Sequence, residues 1–401
     1  MTPPAVGTLA VSGGTPVRSS LLAYGRQSIS DDDIQAVVDV LRSPWLTTGP
    51  SVEEFEKAFA AVVGAKHAVA VSNGTAALHV AADALRIGPG DEVIVPAITF
   101  AASANCVVYQ GAKPVFADVH PETLLLDPKS VVERITARTK AIVAVDYAGQ
   151  PCDYDALWEI GARRGLVMIG DAAHALGADY QGRRVGSLTD MTTFSFHPVK
   201  QITTGEGGMV TTDDDILAAR ARVFRTHGIT TDHRQREAQG VFFYEMVDLG
   251  FNYRLTDFQC ALGLSQLARL DGFVARRRQI AAEYDRAFAG MTAVTPLVQA
   301  SDRRNSYHLY VIQLDLEQLT ASRNEVFAAL RAENIGVNVH YIPVHLHPFY
   351  RRNFATGPGD CPVAEHVYDR IITLPLFPAM SDGDVADVVT AVDKVVGHFR
   401  R

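Results

Sequence analysis

Cysteine is scarce in this chain: four residues in 401, Cys106, Cys152, Cys260 and Cys361, set far apart. None forms a CxxC pair or sits in a His-rich cluster, which excludes a disulfide framework and a zinc site of ordinary spacing and leaves no metal centre to expect. That usage suits a reducing compartment. No apolar run is long enough to cross a bilayer. The first twenty residues lack the basic start and apolar core of a secretory signal. The expectation is a soluble, cytoplasmic protein with no membrane partner. Positive charge is also in deficit, with 37 Lys and Arg against 45 Asp and Glu, so a nucleic-acid surface is excluded. Arginines cluster at Arg276-Arg277-Arg278 and at Arg303-Arg304; both runs read as a solvated helix face or loop. Walker and dinucleotide glycine motifs, internal repeats and heptads are all missing.

What is present is the composition of a large folded core, 47% hydrophobic and 20% charged. The length fits one large α/β domain with a smaller partner, here residues 21–265 and 266–401. An arm, residues 1–20, precedes them, extended and rich in Gly, Pro, Ser and Thr. Ser30, followed by Asp31, Asp32 and Asp33, predicts a capped helix running to Leu41. Ser51, with Glu54 three residues on, predicts a second helix to Val63. Strand-like runs (HAVAVSN, EVIVPA, PVFADV, AIVAVDYAG, LVMIGDAA, TTFSF, GGMVTT) are then separated by helical or loop stretches such as TAALHVAADAL and ANCVVYQG. Near-continuous apolar strands in such alternation predict a mostly parallel sheet covered on both faces. Residues 255–288 predict one long helix leading into a small α+β domain.

The chemistry sits in a few segments. In FSFHPVKQITTGEGG, Lys200 lies on a loop before a glycine-rich turn, where a buried amine can lose its proton and form a Schiff base. Ser195, His197, Thr203 and Thr204 could bond a phosphate there, and Gly205, Gly207 and Gly208 let backbone approach a ligand. In IGDAAHALGA, Asp171 ends an apolar strand, at the side where open α/β sheets bind ligands. It could hold a pyridine nitrogen protonated, or simply cap a helix. His174 follows on the same helical face and could reach that ring or pack. Asp171 and Lys200 are 29 residues apart, enough for a strand, a turn and a return to one pocket. Asn73-Gly74-Thr75 follows a strand and opens a helix, a ready phosphate site. Phe100 in PAITFAASAN could stack on a cofactor ring or belong to the core. Asn252 and Arg254 interrupt an apolar run, so a ligand, a subunit or a salt bridge must take them. His308, His340, Tyr341 and His345 are candidates for substrate contact. The spacing of His340, His345 and His347, with Pro343 between, argues for a loop entering the site and against a metal.

Taken in order, NGTAAL, DAAHALGA, FSFHPVKQITTGEGG and GFNYRLTDFQ resemble the DegT/DnrJ-type sugar aminotransferases, a branch of the fold-type I (aspartate aminotransferase-like) enzymes that use pyridoxal 5'-phosphate (PLP). The resemblance runs from about Ala23 to about Phe399. It implies that Lys200 carries the cofactor, Asp171 pairs with the pyridine nitrogen, and His174 lies beside the phenolic oxygen. Phe100 would stack on the ring, and Gly74, Thr75 and Ser195 would hold the phosphate. Asn252 would reach the phosphate of the neighbouring subunit, which implies a homodimer with shared active sites. YGRQSISDDDIQAVVDVLRSPWLTTGP, VDYAGQP and HALGADYQGRRVGSLTD are similar to the subgroup of pseudaminic acid biosynthesis, with Asp146-Tyr147-Ala148-Gly149 where the broader family has VHLYGQ. That implies L-glutamate as donor and, as acceptor, a UDP-linked 4-keto-6-deoxy sugar, a 2-acetamido-2,6-dideoxy-hexos-4-ulose. Tyr147, His308, His340 and Tyr341 are the expected substrate contacts. The alternatives are another UDP- or dTDP-linked 3- or 4-keto-6-deoxy sugar, a dehydratase (which in relatives has histidine in place of Lys200), or a sensor that keeps the fold without the chemistry.

Overall fold

The computed structural model describes residues 8–231 and 233–401. Its main sheet has seven strands: β1 (His67–Val71), β2 (Glu92–Pro96), β3 (Lys113–Ala117), β4 (Thr139–Val145), β5 (Val167–Asp171), β6 (Met191–Ser195) and β7 (Gly208–Thr212). Their order is β1-β7-β6-β5-β4-β2-β3, and β7 runs against its two neighbours while β6, β5, β4, β2 and β3 pair in parallel. The strands are buried along nearly their whole length, as the apolar runs required.

Helix α1 (Asp31–Leu41) starts as the sequence predicts, with a reciprocal cap between Ser30 and Asp33. Asp33 does more than cap. Fully buried, it also accepts from Ser265 at 2.6 Å, from Gln266 at 2.7 Å and from Arg269, which ties α1 to the helix Asp257–Ala268. Helix α2 (Pro50–Val63) begins one residue earlier than expected and has no side-chain cap from Ser51. Asp257 does the capping from a distance, accepting from the backbone N–H of Gly49 at 2.7 Å and of Ser51 at 3.0 Å. The inner face of α2 presents Phe55 and Phe59, whose rings pack on Phe196 and Phe194 at 5.4 and 5.0 Å and bind the helix to β6. The single long helix expected over 255–288 is two, Asp257–Ala268 and Leu270–Phe288. The break falls at Arg269, which leaves helical dihedrals where it pairs with Asp33.

The second core is built on an antiparallel sheet of Val294–Pro296, Tyr310–Leu314 and Ile371–Leu374, with the helices Leu270–Phe288, Arg323–Ala332 and Asp382–Phe399 against it. The two cores do not part the chain at one point. Leu9 and Leu22 pack into the second core, whereas Val344, Tyr350 and Val367 pack into the first. Residues 8–20 are therefore not a free extended arm; residues 1–7 lie outside the described residues. The fixing group is the buried Glu333, which accepts from the N–H of Ala10 and of Val17, both at 2.9 Å, and from Lys394 at 2.9 Å.

Burial would raise the Glu333 carboxyl, but the Ala10 N–H, Lys394 and the Val17 N–H outweigh it and hold the group below the usual glutamate range. A depressed carboxylate contributes stability above its unfolded pKa and loses it as pH falls through the folded value. Glu333→Gln should therefore lower the unfolding free energy at neutral pH by about 1–3 kcal/mol. In urea melts the gap from the unsubstituted protein should close below about pH 4; a gap independent of pH would contradict this account.

Candidate active site

A cavity of about 1120 Å³ opens at the carboxyl ends of β4, β5 and β6, where Val145, Asp171 and Ser195 all line it. Lys200 enters from the β6–β7 connection. That loop is closed at its base by Phe196 N–H to Gly207 O at 2.8 Å and Thr204 N–H to Phe196 O at 3.1 Å, and Lys200 N–H bonds His197 O at 2.9 Å. Thr203 and Thr204 are not phosphate ligands, contrary to expectation. Their hydroxyls donate to Phe196 O at 3.0 Å and Glu206 O at 2.8 Å and shape the loop. Gly208 also serves packing: a Cβ there would lie 2.5 Å from the Asn73 carbonyl.

One end of the cavity is formed by the start of α3 (Gly74–Ala84). Asn73 caps it by accepting from Ala76 N–H at 2.8 Å, which leaves the N–H groups of Gly74 and Thr75 without a partner inside the helix. A Cβ on Gly74 would sit 2.8 Å from Ser195 Cβ, so glycine lets the helix start abut the end of β6. Helix N-terminus, Thr75, Ser195 and His197 together make an anion cup.

At the other end lie the ionisable groups. Asp171 begins no helix, because residues 173–177 form turns. Its carboxylate accepts from Ser103 Oγ at 2.6 Å and from Ala173 N–H at 3.2 Å, and Ser103 shares a hydrogen bond with Thr99 at 2.7 Å. Burial pushes Asp171 above the usual range; Ser103, Ala173 and Lys200 only partly offset it. Burial likewise pulls the Lys200 ammonium down to about 8, with Asp171 opposing and Arg277 adding to the fall. Lys200 Nζ lies 3.4 Å from His308 Nε2. The rings of His308 and His174 are 4.3 Å apart. Burial first, then Lys200, holds both imidazoles far below their usual value, and His340 is pulled to about 3 for the same reasons. These imidazoles are neutral. His174 Nε2 meets the Tyr341 hydroxyl at 3.1 Å, and burial keeps that phenol protonated.

Gly74, Thr75, Phe100, Asp171, His174, Ser195, Lys200, His308, His340 and Tyr341 thus share one cavity. Phe100 is not core but 58% exposed, its ring 5.9 Å from that of Tyr341. Tyr147 does not fit as a direct substrate contact. It is buried, off the cavity wall, and its hydroxyl donates to the His340 carbonyl, so it supports His340 from beneath. Asp146 fixes that turn by accepting from Cys152 N–H at 2.8 Å and from Tyr154 at 2.9 Å. Asn252 is exposed and off this cavity, although Phe251 and Tyr253 on either side line it. His345 is not in the site; it pairs with Glu365 at 2.9 Å. The sequence reading missed Ser103, although it stands in the same PAITFAASAN segment as Phe100. It also missed Tyr24 and Asn338, which reach the cavity only through tertiary pairing, Tyr24 by its carbonyl to Leu376 N–H at 3.0 Å and Asn338 by its backbone to Thr373.

The donor set fits PLP: an anion cup, a buried acid in need of a cationic partner, and a buried amine. Among the described residues His174 Nδ1 and His308 Nδ1 are buried without a hydrogen-bond partner. Among the described residues no group of three or more His, Cys, Asp or Glu is placed for a metal, and no helix is long and apolar enough to cross a membrane.

Residues 27–393 match the DegT/DnrJ/EryC1/StrS aminotransferase family. The chain is 46% identical over 382 residues to the spore coat polysaccharide biosynthesis protein SpsC of Bacillus subtilis, covering 94% of this chain and 98% of SpsC. Its fold is similar to that of Helicobacter pylori PseC, an aminotransferase involved in the biosynthesis of pseudaminic acid, with a TM-score of 0.89 and 33% identity over 95% of this chain and all (100%) of PseC. Spr1654 of Streptococcus pneumoniae, solved in PMP and PLP forms, superposes with a TM-score of 0.88 at 33% identity, over 94% of this chain and 99% of that one. The chain therefore belongs to the DegT/DnrJ/EryC1/StrS aminotransferase family, as a PLP-dependent sugar aminotransferase of the fold-type I class.

Proposed function

We propose that this enzyme transfers the amino group of L-glutamate to C4 of a UDP-linked 2-acetamido-2,6-dideoxy-hexos-4-ulose, giving UDP-4-amino-4,6-dideoxy-N-acetyl-beta-L-altrosamine, with Lys200 as the residue that carries PLP. The observation that carries the reading is the buried Lys200 amine across from the buried Asp171 carboxylate, with neutral imidazoles around it. Bound PLP supplies an electron sink for the carbon that loses its proton. Asp171 would hold the ring nitrogen, Gly74, Thr75 and Ser195 the phosphate, and His174 the phenolic oxygen, while Phe100 would pack on the ring. Lys200, its value near 8, can give up its proton near neutral pH. It takes the proton from the glutamate α-carbon and returns one to sugar C4. His308, His340 and Tyr341 contact the sugar. The likeness to PseC supports this acceptor. The higher identity to SpsC favours a second reading, another nucleotide-linked 3- or 4-keto-6-deoxy sugar.

We further propose a homodimer. The segment 241–251 exposes Phe242 at 91%, Leu249 at 71% and Met246 at 67%, a larger apolar run than a monomer in water leaves bare. A second copy would cover it, with Asn252, turned from its own cavity, serving the partner's phosphate.

Glutamate should bleach the visible band of the PLP-loaded protein, and Lys200→Ala should abolish that change. Asp171→Asn should slow it by about 10²-fold or more. The amino transfer to the sugar, in which the Lys200 amine is free, should speed up with rising pH and level off above about 8. Products from UDP-4-keto sugars of both C5 configurations decide the acceptor: turnover of the D-xylo ketone alone would overturn it and leave the class intact. Sedimentation should show a dimer, and Phe242→Glu with Met246→Glu should give monomers with little turnover; an unchanged dimer would count against this interface.

A further inference from the structure

Arg276, Arg277 and Arg278 share a sequence run but not an environment. Arg276 reaches out to Asp382 at 2.7 Å, while Arg277 is 1% exposed in the middle of the helix Leu270–Phe288. Among the described residues no carboxylate forms an ion pair with Arg277. Its guanidinium donates to backbone carbonyls: Leu376 at 2.9 Å, Tyr307 at 3.2 Å, His308 at 3.3 Å, Val199 at 3.4 Å and Lys200 at 3.5 Å. Its Nε is buried without a partner among the described residues. Stability does not call for such a group, since an apolar side chain of similar volume would fill the space without the desolvation of a charge. What an apolar side chain cannot do is hold the backbones of Lys200 and His308, the two residues whose side chains meet at 3.4 Å.

We propose that Arg277 is a positioning residue for the amine chemistry: one guanidinium fixes Lys200 and His308 against each other and sets an uncompensated positive charge beside the amine. This rests on Lys200 being the amine that moves the proton. The groups facing Lys200 come from four directions. Asp171 lies at the end of β5 and His174 just beyond it. His308 and His340 come from the connections of the second core, and Arg277 from its helix. The imidazoles are neutral, so Asp171 and Arg277 are the charges that act, in opposite senses. Burial lowers Arg277 itself only to about 10, so it stays charged at neutral pH. Removing it should therefore favour the protonated lysine.

The test uses Arg277→Gln, which keeps donors and loses charge, and Arg277→Lys, which keeps charge and loses the fork that spans several carbonyls. In the cofactor-free full chain, acetylation of Lys200 followed by peptide mass spectrometry against pH should have its midpoint near 8. Arg277→Gln should raise that midpoint by about one unit, a tenfold loss of neutral amine at pH 7, and Arg277→Lys should leave it in place. In the PLP-loaded enzyme Arg277→Lys should lower kcat for the glutamate half-reaction about tenfold with KM little changed. A midpoint unmoved in folded Arg277→Gln, or full kcat in Arg277→Lys, overturns the proposal. Should Arg277→Gln fail to fold, the kcat of Arg277→Lys still decides it. A merely structural arginine would lower thermal stability in both variants and move neither the midpoint nor the kcat-to-KM split. Were Lys200 not the reacting amine, the labelling shift would persist while the rate–pH profile failed to follow it.

Discussion

Parallel pairing of β5 with β6 sets Asp171 opposite Thr193, two residues before Ser195. The carboxylate and the loop that bears Lys200 thus leave adjacent strand ends into one crevice. Side chains alternate along a strand, so a slip of one residue would turn Asp171 to the other face of the sheet. Packing opposes that slip, because it would bring a side chain into the place of Gly170, where even a Cβ would lie 3.0 Å from Thr189 Oγ1. The site is in this sense a by-product of core packing: the same register that buries Met168 and Ile169 delivers an acid beside an amine.

Putting two ionisable groups where water is excluded has a consequence for both. Burial favours the neutral carboxyl of Asp171 and the neutral amine of Lys200, and each group's charge pulls the other back toward ionisation. A cationic ring nitrogen against Asp171 would restore the carboxylate without help from Lys200, leaving the lysine free to lose its proton. Cofactor binding and the proton state of the lysine would be linked through that carboxylate, which Ser103 keeps aimed.

Much of this could be read from the residues. The strands announced themselves as apolar runs, and Asp171 and Lys200 as an acid at a strand end and an amine before glycines. The failures share a cause. Periodicity cannot tell that the middle arginine of Arg276-Arg277-Arg278 is buried, because the pattern records which residues are charged and not what backbone they meet. Nor could it show that Thr203 and Thr204 spend their hydroxyls on their own loop, or that Glu333 gathers the N–H groups of a segment more than 300 residues away. Tyr147 failed for a related reason. Its segment is specific in sequence, yet the side chain lies one layer below the wall and acts through the His340 carbonyl.

The charges on the cavity wall bear on the proposed second subunit. Among the described lining residues there is no arginine, and Lys200 is the one lysine. Helix dipole, hydroxyls and N–H groups can hold a phosphate, but glutamate, the proposed donor, would bring two carboxylates of its own. Neutral imidazoles are weak partners for them. Asn252 and Arg254, meanwhile, stand beside residues that line this cavity and are not on its wall. Burial and Arg225 both push Arg254 toward losing its charge, and among the described residues no acid forms an ion pair with it to hold that charge. A cavity short of cations and a cation short of an anion, next to the exposed apolar run 241–251, are complementary defects. Pairing two copies of the chain, as proposed, would answer both at once.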